Sequence, residues 1–178
     1  MDIVELSLAH EAAFLQMMED YQSKAPQESL SVCETGEYPS TADWTAAKFK
    51  KFIKECEKQR LDWRPGPGKI SVSRYVLLDQ AGQAILASGL MRFPLDEVTE
   101  VDGGNLRCDV PPSFRGRGCG SYFLSRLLFE AVRAGLRRVL VTCPETDLTS
   151  RRVIEKNRGT LQDVVLPQKI RRYWISFS

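Results

Sequence analysis

Asp109-Val-Pro-Pro-Ser-Phe-Arg-Gly-Arg-Gly-Cys-Gly-Ser121 decides how the rest of the chain is read. It leaves an apolar strand, turns through three alternating glycines and opens a long amphipathic helix. Gly116, Gly118 and Gly120 let backbone N–H groups approach a ligand with no Cβ in the way, and the unpaired amides of a new helix add positive potential there. Arg115 and Arg117 put formal charge beside them. The stretch therefore reads as an anion-binding loop. Other glycine-rich loops fit less well. A dinucleotide fingerprint wants its first glycine directly after the strand and an acid about 20 residues further on, whereas Pro111-Pro-Ser-Phe-Arg115 intervenes here. A P-loop needs Gly-Lys-Ser/Thr, which does not follow.

Composition narrows the class without naming it. The 178 residues, 43% apolar and 27% charged, suit one domain over 1–178 with a real core. A formal charge of +2 argues for neither nucleic acid nor membrane as a partner. Cys33, Cys56, Cys108, Cys119 and Cys143 are odd in number, contain no Cys-x-x-Cys pair and follow no signal peptide. The expectation is free thiols in a reducing cytoplasm, with no disulfide framework and no metal site. No apolar run approaches the length of a membrane span.

Outward from the loop, periodicity sets the elements. Before it, Ile3 to Leu6 predicts a short strand, and Ala13, Phe14, Met17, Met18 and Tyr21 predict a helix over about 9–23. His10, the single histidine, has a surface or capping role at that helix start. A polar loop with Glu28, Glu34 and Glu37 leads to a second helix starting near Thr41 or Asp43. Its inner face is Phe49, Phe52, Ile53 and Cys56, and its lysines face solvent. Trp63-Arg-Pro-Gly-Pro-Gly68 breaks the chain. Strands over 73–78 and 84–92 form a hairpin, an acidic segment spans Asp96 to Asp102, and a strand over 105–110 enters the loop. After it come a helix over 117–134, a strand over 138–143, a helix begun by Asp147 or Thr149, and strands over about 161–166 and 170–177.

The spacing Arg115-x-x-Gly118-x-Gly120, with Val110 and Pro112 before it, resembles the acyl-CoA pyrophosphate loop of the GNAT N-acetyltransferase superfamily. Val139-Leu-Val-Thr-Cys-Pro144, then Asp147 to Asn157 and Arg172-Tyr-Trp-Ile175, is similar to the later part of bacterial members. The likeness is best over 72–178. It implies an α/β (α+β) GNAT fold: a mixed, mostly antiparallel central sheet, splayed around the acyl-CoA site and flanked by helices on both faces. It implies acetyl-CoA as cosubstrate, with Cys108, Asp109 and Val110 pairing with the pantetheine arm through their backbone. The Val110 amide would be the oxyanion donor, and Arg115, Gly116, Arg117, Gly118, Cys119, Gly120 and Ser121 would meet the phosphates. Asp147 and Ser150 stand where the family contacts pantetheine. Transfer would go directly to an amine in a ternary complex, in a cytoplasmic bacterial enzyme, dimers being common in such families.

Departures bear on catalysis. Asp147 replaces the family's asparagine, Ile154 occupies the place of the tyrosine acid, and Gly104 the place of a glutamate base. Tyr173 is then the candidate acid, and Glu100 and Asp102 the candidate bases through water. The alternative is a catalytically inactive acyl-CoA-binding sensor. Cys119, at a helix start, has no histidine near it and reads as a small filler. The acceptor, whether small molecule, peptide N-terminus or lysine, would lie against the two N-terminal helices, their loop and the last strands. The loop acids Glu28, Glu34 and Glu37 with Glu100 and Asp102 read as solvated.

Overall fold

The computed structural model describes residues 2–34, 43–60 and 69–177. Glu37, Thr41 and the chain break at 63–68 lie outside the described residues. Strand β1 (Asp2–Glu5) is followed by α1 (Glu11–Lys24), whose stripe Ala13, Phe14, Met17, Met18 and Tyr21 is buried as its spacing requires. A 3₁₀ turn at Ser31–Cys33 precedes α2 (Ala46–Gln59). Thr45 caps α2, its side chain accepting from Lys48 N at 3.2 Å, so the helix starts later than the polar residues at 41 and 43 suggest. Phe49, Phe52, Ile53 and Cys56 face inward.

Strands β2 (Ser71–Leu78) and β3 (Ile85–Phe93) form the expected hairpin. The acidic segment is not all loop, because Asp96 and Thr99 cap each other and open a short helix, α3 (Glu97–Val101). Then come β4 (Leu106–Asp109), α4 (Cys119–Arg133), β5 (Arg138–Pro144), α5 (Leu148–Lys156), β6 (Thr160–Val165) and β7 (Ile170–Ser176).

Every strand pair is antiparallel, in two sheets ordered β1-β2-β3-β4 and β5-β7-β6. Helices α1 and α2 with the 3₁₀ turn cover one face of the first sheet, around Phe14, Phe49 and Phe52. Helices α4 and α5 cover the other face and bind it to the second sheet through Phe123, Leu127, Val139, Val141, Ile154 and Tyr173. The fold expected from the resemblance is the one found.

The sheets meet where β4 begins. Asn105 N donates to Leu140 O at 2.7 Å, and Leu140 N donates to Asn105 Oδ1 at 2.8 Å. Gly104 makes this approach possible: φ is +62°, and a Cβ there would stand 2.4 Å from Leu140 O. Beyond that clamp β4 and β5 share no ladder, which leaves one edge of each strand unpaired among the described residues.

Candidate active site

The open edge of β4 runs straight into the glycine loop. Its last residues alternate in facing, Leu106, Cys108 and Val110 toward α4 and Arg107 and Asp109 toward the 3₁₀ turn at Ser31–Cys33. Arg115 Nε donates to Val110 O at 3.0 Å, and Val110 N–H has no backbone acceptor among the described residues. Asp20 fixes the start of the loop, accepting from Ser113 N at 2.9 Å and Ser113 Oγ at 2.6 Å. Glu28 grips the guanidinium of Arg115 in a two-pronged pair, one arm at 3.0 Å and the other at 2.5 Å. These anchors are 87 and 93 residues away in sequence from their partners, so no local pattern could have marked them.

The cradle itself is backbone. Gly116 and Gly118 have φ of +75° and +82°, a left-handed backbone that favours glycine, and a Cβ at either would meet nothing within 4 Å, so the loop stands clear on that side. The first helical bond of α4 is Tyr122 N to Gly118 O at 3.1 Å, and Gly118 offers no side-chain cap. The amides of Cys119, Gly120 and Ser121 therefore have no backbone acceptor among the described residues. Gly120 packs tightly, its Cβ position 3.2 Å from Val110 Cγ2 and 3.9 Å from Val153 Cγ2. Exposed Arg117 lies over Phe114, 5.7 Å from ring centre, and of the loop's two arginines it is the one with no carboxylate partner among the described residues. An anionic group of diphosphate size fits this set of donors.

Across the opening, Asp147 and Ser150 are joined to each other. Asp147 accepts from Ser150 N at 2.9 Å and Ser150 Oγ at 2.6 Å, which caps α5. Asn157 Nδ2 donates to Ser121 O and Oγ, both at 3.2 Å, and so ties the end of α5 to the first turn of α4. Tyr173 is buried beside Ile154 in the core under α5, and its hydroxyl donates to Glu155 at 3.3 Å. Burial pushes that phenol above its ordinary range. Cys143, close enough to raise it further, is itself pushed by burial to about 11.

Glu100 and Asp102 lie on the other face. Both are exposed; the Glu100 carbonyl accepts from Arg172 Nη1 at 3.2 Å, and Asp102 Oδ1 accepts from Thr142 Oγ1 at 3.4 Å. Asp109 is the acid the sequence reading assigned only a backbone role. Its carboxylate accepts from Ser31 N at 2.8 Å and from Ser31 Oγ, and burial pushes it above the usual carboxylate range while Ser31 and Arg107 pull it down. The Tyr21 hydroxyl, buried with no hydrogen-bond partner among the described residues, ionises far above its usual range, first through burial and then through the Asp109 charge. Among the described residues no group of three or more His, Cys, Asp and Glu could hold a metal, and no helix is long and apolar enough to cross a membrane.

No protein-family model matches the chain, and no curated protein matches it. Solved structures do. The ribosomal L7/L12 α-N-protein acetyltransferase RimL, solved with coenzyme A, aligns over 98% of this chain and 92% of its own at TM-score 0.64 and 15% identity. A spermidine N-acetyltransferase from Vibrio cholerae, with CoA and spermine, aligns over 98% and 94% at 0.64 and 8%. The ribosomal-protein-S5-alanine acetyltransferase from Vibrio fischeri gives 98% and 91% at 0.63 and 10%. Two separated sheets, a strand-loop-helix anion cradle and these likenesses agree: the chain has the fold of the GNAT acetyltransferases.

Proposed function

We propose that this protein is an N-acetyltransferase that takes the acetyl group of acetyl-CoA and passes it directly to an amine in a ternary complex. One observation carries the reading: an unpaired strand edge ends in a loop of partnerless amides, in a fold shared with acetyltransferases solved with CoA. Acetyl-CoA supplies the acetyl as an activated thioester. The backbone of Cys108, Asp109 and Val110 pairs with the pantetheine arm, while Gly116, Arg117, Gly118, Cys119, Gly120 and Ser121 hold the diphosphate. Val110 N–H donates to the carbonyl oxygen as charge gathers there. Arg115, engaged by Glu28 and Val110 O, shapes the loop more than it neutralises phosphate. Asp147 and Ser150 shape the start of α5 beside the arm.

The proton balance asks two things of the chain. An ammonium must lose one proton before nitrogen attacks, and a second as the C–N bond forms and the C–S bond breaks, this one leaving with the thiol. A departing thiolate with a pKa near 8.5 needs little help, so the acid is the more dispensable group. Tyr173 is the candidate acid, and Glu100 and Asp102 are candidate bases through water. The sensor reading draws on Ile154, 3% exposed in the core, and on Gly104, whose geometry leaves no room for a glutamate side chain. Purified protein given acetyl-CoA and a panel of amines, with thiol release followed, separates the two: turnover of any amine supports the enzyme, and binding without turnover supports the sensor.

A further inference from the structure

The face of β2, β3 and β4 beneath the 3₁₀ turn carries a charge pattern that the transfer reaction does not use. Register places Arg74 opposite Leu90 and Leu90 opposite Arg107, and in the next row Ser88 opposite Asp109. Alternation puts Arg92 on the same face. Contacts agree. Arg74 donates to Val32 O at 2.8 Å and Glu34 O at 3.1 Å, Arg92 Nη2 reaches Glu34 Oε2 at 2.8 Å, and Arg107 Nη1 approaches the same oxygen at 3.7 Å.

Among the described residues, then, three guanidiniums stand beside two carboxylates, Glu34 paired with Arg92 and Arg107 and Asp109 feeling the Arg107 charge, which leaves an excess of positive charge on this face. Arg74 and Arg92 are 2% and 6% exposed, and among the described residues Arg74 Nη1, Arg92 Nε and the hydroxyl of fully buried Ser88 have no hydrogen-bond partner. Buried donors left open, and buried cations in excess of anions, are costly unless something completes them. Arg107 and Glu34 are half-exposed, so the cluster reaches solvent on the face opposite α4.

Resting on the acetyltransferase reading, we propose that the acceptor is an α-amino acid whose carboxylate is held on the Arg107 and Arg92 side and whose ammonium is held by Asp109. Asp109 and Arg107 lie two residues apart on one strand face, roughly 7 Å between Cα atoms. A long guanidinium arm on one side and a short carboxylate on the other span the separation of an α-amino acid's two charged groups. Asp109 directly precedes Val110, so an ammonium on its carboxylate stands beside the backbone assigned to the thioester. In this arrangement the Asp109 carboxylate, in place of Glu100 or Asp102 on the far side, takes the ammonium's first proton and returns it to solvent. A polyamine or a peptide N-terminus, with no carboxylate next to its amine, leaves the arginine excess unanswered.

The test compares L-α-amino acids with their primary amides and their decarboxylated amines, acetyl-CoA saturating, by thiol release and by calorimetric titration into the CoA-bound protein. At least one amino acid should exceed its own amide and amine by about tenfold or more in kcat/KM, the scale of a lost charge-assisted hydrogen bond. Arg107→Gln should erase that preference in both kinetics and binding, with acetyl-CoA affinity unchanged. Amides or amines turned over as well as amino acids would overturn the proposal and leave the transferase reading intact. Acetyl-CoA bound with no amine turned over and no amino acid bound would overturn both.

Discussion

Asp109 is where one side chain has most to decide. A carboxylate accepts a proton only when ionised, so kcat/KM should rise with pH through the Asp109 pKa, which burial holds above the usual value near 4. Asp109→Asn should lower kcat/KM for the acceptor by about 100-fold or more and remove that acidic limb, measured as a pH–rate profile with acetyl-CoA saturating and the acceptor varied. Stability carries the same signature with a defined sign. A raised native pKa means the folded state binds more protons than the unfolded between about pH 4 and the native value, so this group's contribution falls as pH rises across that window. Urea unfolding of wild type against Asp109→Asn should show the slope and its loss. Asp147→Asn should behave differently: asparagine caps as well as aspartate, so fold and acetyl-CoA affinity should hold and activity stay within a few-fold. The glycine loop could be read from sequence because its chemistry is local backbone geometry. Asp109 could not, since its partner Ser31 is 78 residues away and only the β3–β4 register reveals which face it takes.

At the scale of elements, the junction of β4 with β5 sets the opening. Gly104→Ala would bring a methyl against Leu140 O at a backbone angle L-residues avoid, and should cost about 2 kcal/mol or more. For a chain of this size that is roughly 4–8 °C in Tm by scanning calorimetry. Asn105→Ala should cost about 1–3 kcal/mol, because it strips a partner from buried Leu140 N and from Arg92 O. An unchanged Tm in both variants would mean the sheets are held together elsewhere. Long periodic elements such as α1, α2 and α4 were legible within two or three residues at most ends. Helix α3 was not, because five residues give no periodicity and its Asp96–Thr99 box is closed by a threonine rather than a glutamate.

Across the whole molecule, strand order and splay depend on contacts that no window of sequence contains, so they were legible only through resemblance to a family. The tightest approach between the sheets is made by Asn105 and Gly104, neither of which stands out by composition. What the two sheets accomplish together is to leave an unpaired strand edge among the described residues that runs into an uncapped helix start at one opening. Thermal unfolding with and without acetyl-CoA decides whether this opening holds it. At about 100 times its Kd, a ligand of the native state adds about 2.7 kcal/mol, which is on the order of 5–10 °C for this chain. Wild type should show that shift with acetyl-CoA and none of comparable size with NADH. Gly120→Val, whose added side chain meets Val110, should fold and lose it. No shift in wild type, or an equal shift in a folded Gly120→Val, would contradict the account.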